Sequence, residues 1–550
     1  MLSKKLLASI LTAGTIGLGA FTTVAQPFQQ GTVNPQAMYP YDITKSKDYE
    51  IIMLGTLQGV VAKQSPTQLY LYSTVDGSYT PTPQDQALGL TTGPLFFKYY
   101  LNNTRSPIIP DIQNPSKNIW DVVSYYKEYV NGYVLYNVQT DSQDIAVTLC
   151  GLLNCIALTP DIAQTAQANG IKQIADATTM SYTDIINQYA DQLNKTFTVE
   201  LIPYYTNWPD TTKYTKADGP KDYTVMLNGM MFYSYANNAT RDQVLSFIRK
   251  ANPNAFPVYG WNAEQNGEEG FVRDVSANGD FVVASDNSID LSFFASSNTK
   301  PLSVKAAPSL KYDSKMSYVT FLVSDGDNLQ LVTNKANDAR WWGNSNRGKF
   351  PVGWTMPPSM YYLESDVWNY FVTTSTDNDE LVAGPSGIGY IFGGVASTSQ
   401  FANQQSDLNE FMLSAGVKTV AIFGDTSNDW SNNNFLSPYL NNAAVSGAFY
   451  CQYASWMGQT SYDTKWFNNK PMMPQNEYLN NNPSVIANEI NSKLKNKNNG
   501  FYAVYAIRND GCNTMDWLAT LYNSLDKTKV QVVLPSQLAD LATQANKKKF

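Results

Sequence analysis

The chain has 550 residues, a net charge of −8 and no histidine. The acidic balance disfavours a nucleic-acid partner, since proteins that bind polyanions usually carry a basic face. The missing histidine excludes Ser-His-Asp and Cys-His nucleophile systems and every His-ligated zinc site. Any acid–base chemistry must therefore use Asp, Glu, Tyr or Lys side chains, although a non-catalytic protein can also do without histidine.

Residues 1–25 are typical of an export signal peptide. Lys4 and Lys5 precede an apolar run from Leu6 to Ala20, and small residues lead up to Ala25. No later stretch approaches the roughly 20 apolar residues that a spanning helix needs. We therefore expect a secreted or periplasmic protein without a membrane span after cleavage, and residues 26–48, rich in Gln, Pro and Thr, predict an extended lead-in.

An N-terminal α/β region is predicted over residues 49–300, because a chain of this length should divide into domains of about 100–200 residues. Short β-prone runs alternate with apolar runs at helical spacing, which indicates two or three small βαβ-type domains. The fragments Thr56–Val61 and Thr148–Leu153 resemble each other and predict related helices. Strands are predicted at 50–54, 68–72, 132–136, 155–158, 223–227 and 257–261, and helices at 145–153 and 241–250.

A larger C-terminal α/β domain is predicted over residues 311–550, after a linker at 296–310 that is rich in Ser, Asn, Thr, Lys and Pro. Strands and helices alternate there, which favours a parallel architecture, either barrel-like or an open sheet. Strands are predicted at 317–323, 350–355, 387–392, 418–423, 501–507 and 530–534, and helices at 329–342 and 535–544.

Acidic residues follow several of these C-terminal strands directly. Asp325 and Asp327 come after the first strand, Asp425 after a middle one and Asp510 after a late one. In parallel α/β folds the sites form at the carboxyl ends of the strands, so these acids should meet at one mouth. Taken singly, Asp425 and Asp510 are better explained as helix N-caps.

The segment Asp325-Gly326-Asp327-Asn328 is a stronger signal, because one capping residue would suffice after a strand. Gly326 allows a tight turn, so both carboxylates and the Asn328 amide can face a common ligand. Clustered oxygens also suit a divalent cation, but Leu329 stands where a calcium loop needs its third ligand, so we expect no cofactor.

The four cysteines, Cys150, Cys155, Cys451 and Cys512, allow three disulfide connectivities. Pairing Cys150 with Cys155 and Cys451 with Cys512 keeps each bond within one predicted domain. Free buried thiols are the equal alternative, and the sequence carries no signature of oligomeric state.

The stretch Gly384–Phe392 contains glycines that are wrongly spaced for GxGxxG and lacks a P-loop lysine, so it does not predict phosphate binding. Together with Val323–Gln330 and Gly353-Trp354-Thr355, its core Ser386–Tyr390 resembles the bacterial GxGYxYP putative glycoside hydrolase family. The resemblance extends to Gly260–Glu264 and implies N-terminal α/β domains joined to a larger barrel-like domain. Phe392 and Gly393 replace the closing Tyr-Pro of the motif.

The resemblance implies a carbohydrate substrate, and glycoside hydrolysis needs only a carboxylic acid and a carboxylate. The hypothesis places Asp325 and Asp327 in the site, with Asp425, Asp510 or Glu264 as the second catalytic carboxylate. The candidate substrate-binding residues are Asn328, through its side-chain amide, and the aromatic residues Trp341, Trp354 and Tyr390. For each aromatic ring, a role in the core is the alternative. A non-catalytic glycan-binding or envelope protein is the competing hypothesis, and a carbohydrate esterase is less favoured because such enzymes commonly use histidine.

Overall fold

The structure is a computed structural model that describes most of the chain between residues 27 and 547. The described ranges are 27–73, 93–103, 110–112, 118–138, 140–193, 198–200, 219–232, 238–251, 255–260, 267–285, 288–324, 328–335, 339–426, 428–452, 463–477, 482–495, 500–507 and 514–547. Within these ranges no helix combines the length and the apolar character needed to cross a bilayer. The predicted signal peptide lies outside them and stays a prediction.

The first N-terminal unit contains a pair of parallel strands and a long buried helix. Its elements are β1 (Ala37–Asp42), α1 (Asp48–Ala62), β2 (Thr67–Tyr72), α2 (Gly93–Asn103) and α3 (Ile119–Tyr125). Strand β1 precedes the point where regular structure was expected to begin. The strand predicted at 50–54 is wrong, because these residues begin α1, whose residues from Ile52 to Ala62 are all buried. A helix buried on every side has no amphipathic stripe and reads as a continuous apolar run.

The second unit follows the predicted strand–helix–strand pattern. Its elements are β3 (Gly132–Leu135), α4 (Asp141–Leu153), β4 (Cys155–Leu158), α5 (Pro160–Ala168), β5 (Gln173–Asp176) and α6 (Tyr182–Tyr189). Strand β3 lies between β4 and β5 and pairs with both in parallel. The predictions for β3, α4 and β4 are confirmed.

The third unit is a parallel sheet in the order β7-β6-β8-β9. Its elements are β6 (Thr198–Glu200), α7 (Lys221–Leu227), β7 (Met230–Phe232), α8 (Asn238–Ala251), β8 (Pro257–Tyr259), α9 (Gly267–Ala277), β9 (Phe281–Val283) and α10 (Leu291–Ala295). The strand predicted at 223–227 is wrong because this apolar run forms the buried helix α7.

Helices α1, α4 and α7 pack against one another and hold the N-terminal units together. The hydroxyl of Thr56 accepts a hydrogen bond from Ala157 N at 3.0 Å, and that of Thr148 accepts one from Met231 N at 3.0 Å. In each case a helix of one unit is bound to a strand of the next unit. The repeated fragments therefore share a structural role, as their similarity predicted.

The C-terminal domain alternates strands and helices from residue 317 onward. Its first half contains β10 (Ser317–Ser324), α11 (Asn328–Lys335), β11 (Val352–Met356), α12 (Pro358–Leu363), α13 (Ser365–Thr374), β12 (Asp379–Ala383), α14 (Thr398–Ala415) and β13 (Thr419–Gly424). Its second half contains α15 (Asn433–Asn441), β14 (Gly447–Gln452), β15 (Lys465–Phe467), β16 (Lys470–Glu477), α16 (Pro483–Lys495), β17 (Phe501–Ile507), α17 (Met515–Ser524), β18 (Val530–Val532) and α18 (Pro535–Lys547).

Seven parallel strands of the described chain close into a barrel in the order β11-β12-β13-β14-β16-β17-β10. Closure occurs because β10 pairs with β17 along its length and with β11 at Leu322 and Val323. Strand β18 pairs only with the first residues of β10. The barrel-like α/β architecture is thus confirmed, whereas the strand predicted at 387–392 is wrong because β12 ends at Ala383.

Helix α18 fills the amino-terminal end of the barrel. Its residues Leu538 and Ala539 belong to the same apolar cluster as Phe449 and other inward-facing strand residues. Glu380, near the start of β12, accepts a hydrogen bond from Ser536 N at 3.0 Å and so caps the first turn of α18. With this end filled, the carboxyl ends of the strands remain as the mouth of the barrel.

Candidate active site

The carboxyl ends of β10 and β17 lie side by side at the barrel mouth, since Ser324 pairs with Ile507. Asp325 and Asp327 follow β10 in the chain, and Asp510 follows β17. These acids and Glu264 lie outside the described residues, as does the side chain of Asn328 at the start of α11. Their roles therefore stay predictions that rest on their chain positions.

Asp425 follows the last residue of β13, at the mouth of the barrel. Its side chain is only 2% exposed. Arg273 donates to both of its carboxylate oxygens, from Nε to Oδ2 at 2.8 Å and from Nη2 to Oδ1 at 2.6 Å. A bidentate guanidinium–carboxylate pair is among the stronger charge-assisted hydrogen bonds, so Asp425 is held in one orientation.

Arg273 belongs to α9 of the third N-terminal unit, and one turn earlier the same helix carries Glu269. Arg273 Nη2 also donates to Glu269 Oε1 at 2.7 Å, so one nitrogen binds both acids. Burial raises the pKa of Glu269, and its hydrogen bond and charge interaction with Asp425 raise it further against the opposing effect of Arg273. The two carboxyls therefore form a pair, contributed by different domains, in which one member binds its proton more tightly than usual.

Asp429 shapes the loop that carries Asp425. Its Oδ2 atom accepts hydrogen bonds from Asp425 N at 2.6 Å and from Thr426 N at 3.1 Å. Burial raises the pKa of Asp429. We refer to Glu269, Arg273, Asp425 and Asp429 as the mouth cluster.

Asp425 was predicted from the sequence as a candidate site residue, whereas Glu269 and Arg273 were not. An acid from the N-terminal region was expected to reach the barrel, but the residue predicted for that role was Glu264. The available signal was the spacing of Glu269 and Arg273, since an i,i+4 acid–base pair forms on one face of a helix. That signal is common on exposed helices and does not by itself indicate a site.

The segment 384–393 joins the third N-terminal unit to the barrel. Tyr390 and Val282 exchange two backbone hydrogen bonds of 2.9 Å, and Phe392 N donates to Ser276 Oγ of α9 at 2.9 Å. A Cβ added at Gly389 would lie 2.1 Å from the ring of Phe281, so a glycine is needed for this approach. The GxGY part of the motif therefore forms a seam between domains, and α9 is bound to it.

The aromatic rings predicted to stack on sugars are buried. Tyr390 is 0% exposed and contacts Phe423 with ring centroids 5.7 Å apart. Trp354 is 1% exposed, and its Nε1 donates to Asp379 Oδ1 at 2.9 Å. Trp341 is 2% exposed. This burial fits the core role that was the alternative for each ring.

The described cysteines are free, buried thiols: Cys150, Cys155 and Cys451. The pairing of Cys150 with Cys155 is therefore wrong, whereas that of Cys451 with Cys512 stays a prediction because Cys512 lies outside the described residues. Burial raises the pKa of Cys155 to about 12, so this thiol is unreactive at neutral pH. In the described part of the chain, no group of three or more acids and thiols is arranged to hold a metal ion.

The closed parallel barrel, with α/β units before it and carboxylates at its mouth, places the chain among the α/β-barrel proteins, many of which are enzymes. The chain belongs to the GxGYxYP family. Residues 315–543 match the "GxGYxYP putative glycoside hydrolase C-terminal domain", and residues 130–193 and 204–296 match the second and third domains of the family's N-terminal part.

One solved structure supports the same fold. It is the crystal structure of a putative hydrolase from Bacteroides thetaiotaomicron, 23% identical, with a TM-score of 0.77. The match covers 94% of this chain and 96% of that chain. A search of curated proteins finds no match.

Proposed function

We propose that this chain is an exported glycoside hydrolase that acts on a poly- or oligosaccharide through carboxyl groups at the mouth of its barrel. The observation that carries the proposal is the position of Asp425, which follows β13 at the mouth with both of its oxygens bound by Arg273. Parallel barrels assemble their sites from the loops that follow the strands. Asp325, Asp327 and Asp510 follow other strands of the same barrel and are the candidates for the opposing carboxylate.

The chemistry of the chain agrees with this proposal. Glycoside hydrolysis needs one carboxyl group to protonate the leaving oxygen and another to attack the anomeric carbon or to activate water. This division of labour requires no histidine, and the chain contains none. Glu264, from the N-terminal region of the chain, is the remaining candidate for the second carboxylate.

The competing proposal is a non-catalytic glycan-binding or cell-envelope protein. One observation favours it: both oxygens of Asp425 are occupied by Arg273, and an ion pair of this kind is also found where its sole role is to join two domains. An enzyme-like fold does not by itself establish a reaction.

A reducing-sugar assay over a panel of polysaccharides distinguishes the two proposals. We expect the wild-type protein to release reducing ends from at least one glycan, and Asp325→Asn to lower that rate by at least about 100-fold, since the lost group takes part in the chemical step. Glu128→Gln, a change at an exposed acid remote from the barrel strands in the chain, is the matched control and should keep the wild-type rate. Binding of a glycan by the wild-type protein without any turnover would favour the binding protein and contradict the hydrolase.

A further inference from the structure

The two acids of the mouth cluster that Arg273 binds differ in what they present to solvent. The Asp425 side chain is 2% exposed and the Arg273 side chain 40%. The Glu269 side chain is 31% exposed. Asp425 is therefore shielded from solvent, whereas the Glu269 side chain keeps contact with it.

We infer that Glu269, contributed by the third N-terminal unit, is the general acid of this enzyme and protonates the leaving oxygen, while Asp425 acts through Glu269 and Arg273 as a positioning residue. This inference rests on the proposed hydrolase function. It assigns the acid that the N-terminal region contributes to the site as Glu269 in place of the predicted Glu264.

The position of Glu269 is well determined by its surroundings. Helix α9 is bound to the motif segment of the barrel through the hydrogen bond from Phe392 N to Ser276 Oγ. Arg273 Nη2 binds the Glu269 and Asp425 oxygens at 2.7 and 2.6 Å, so the two carboxyls keep a fixed relation. A catalytic group must be held close to its working position, and these contacts restrain the Glu269 carboxyl.

The raised pKa of Glu269 suits the role of a general acid. A general acid must carry its proton at the working pH, and the burial of Glu269 and its closeness to Asp425 both raise its pKa. Arg273 opposes this effect but is shared with Asp425, so its charge is already largely balanced. Glu269 is therefore the member of this pair that is suited to donate a proton.

The reaction balances with these groups. The Glu269 proton passes to the glycosidic oxygen as the bond between that oxygen and the anomeric carbon breaks, which releases the leaving sugar as an alcohol. One water molecule supplies a hydroxyl group to the anomeric carbon, and its remaining proton replaces the one that Glu269 gave. A second carboxylate, for which Asp325, Asp327 and Asp510 are the candidates by their chain positions, either attacks the anomeric carbon first or activates that water.

The test compares substrates that need a proton donor with substrates that do not. For Glu269→Gln we expect kcat/KM on the natural glycan to fall by about 100-fold or more. The fall should be less than about 10-fold on 2,4-dinitrophenyl glycosides of the same sugar, because dinitrophenolate leaves without protonation. The decline of wild-type activity at alkaline pH, which reports ionisation of the acid, should also disappear.

A second variant keeps the inference testable if Glu269→Gln folds poorly. Asp425→Asn removes the charge that raises the pKa of Glu269, so the alkaline decline of kcat/KM should move to lower pH. A merely structural role for Asp425 would lower the rate without moving the profile. Asp274→Asn, a change on the same helix next to Arg273, is the matched control and should leave the profile unchanged.

The possible results distinguish a failure of the proposed hydrolase function from a failure of the general-acid role of Glu269. If the wild-type protein hydrolyses neither glycans nor dinitrophenyl glycosides, the proposed function fails and the role of Glu269 fails with it. If the wild-type protein is active, but Glu269→Gln loses the same factor on both substrates and keeps its alkaline decline, the general-acid role is overturned while the hydrolase proposal stands.

Discussion

Buried carboxyl groups lie where the N-terminal units meet the barrel. Asp290 accepts hydrogen bonds from Leu71 N at 2.8 Å and from the Gln58 amide, and Asp222 accepts one from Ser292 N at 2.7 Å. Glu364, which precedes α13, is 0% exposed. Burial raises the pKa of each acid, and for Glu364 the neighbouring Asp222 raises it further, to about 8.

Replacing Glu364 by glutamine should reduce the loss of stability at alkaline pH. The pKa of Glu364 rises from 4.5 to about 8 on folding, so the folded state holds this proton more tightly than the unfolded state. Stability should therefore fall as the pH rises from about 4.5 to about 8, by up to roughly 5 kcal/mol for this group. The glutamine side chain of Glu364→Gln is neutral at every pH and should remove that part of the decline.

Urea unfolding at pH 5.5 and pH 9 measures this effect. The free energy of unfolding of the wild-type protein should drop more between the two pH values than that of Glu364→Gln. Glu128→Gln, a change at an exposed acid, should behave as the wild type. An equal drop in all three proteins would show that Glu364 is already ionised in the folded state at pH 5.5.

The carboxyls of the candidate site were predictable only in part. Asp425 could be found because an acid that follows a buried strand in a parallel fold lies at the mouth. Glu269 could not, since its approach to Asp425 depends on how α9 packs across a domain boundary, and nothing in the local sequence encodes that contact. The burial of Tyr390 and Trp354 is likewise a tertiary property, because aromatic residues near a predicted site are compatible with both a core and a ligand role.

At the scale of elements, the sequence predicted most of the strands that alternate with amphipathic helices, such as β3, β4, β10 and β17. The wrong assignments at 50–54 and 223–227 are both apolar runs in helices that are buried among other helices. Such helices lose the polar stripe that distinguishes a helix from a strand. The run at 387–392 contains small and β-prone residues, which is why it was predicted as a strand. Instead it packs tightly between the domains, where its glycines allow the backbone to approach the third unit closely.

Replacing Thr56 or Thr148 by Val should destabilise the N-terminal units by similar amounts. Valine keeps the shape of threonine but leaves a buried backbone N–H unpaired, that of Ala157 or that of Met231. The expected loss is about 1–3 kcal/mol for each variant. Urea unfolding of the full chain measures it.

Thr224 offers the matched control for this pair. Its hydroxyl donates to Pro220 O four residues earlier within its own helix, and Thr224→Val leaves that carbonyl with the backbone partner Thr224 N. We expect a loss below about 1 kcal/mol there. Equal losses in all three variants would contradict the view that Thr56 and Thr148 connect one unit to the next.

At the scale of the whole molecule, the segment just after the predicted signal peptide connects distant parts of the chain. Phe28 is 1% exposed and contacts Phe281 of the third unit and Tyr362 of the barrel domain, with ring centroids 5.9 and 5.5 Å apart. Gly31 N donates to Ala295 O at 3.0 Å, and the Gln68 amide of the first unit donates to Val33 O at 2.7 Å. The segment predicted as an extended lead-in therefore also connects the N-terminal units with the barrel domain.

Removing the Phe28 ring should loosen the seam that holds Glu269 over the barrel. Phe28→Ala deletes a fully buried ring between two domains, and such changes cost about 3–5 kcal/mol. Thr32→Ala, a change at an exposed neighbour in the same segment, should cost less than about 1 kcal/mol. We expect Phe28→Ala to lower the midpoint of thermal unfolding well below that of Thr32→Ala and to speed proteolysis between the third unit and the barrel. An unfolding midpoint equal to that of the wild type would contradict the view that Phe28 helps to join the domains.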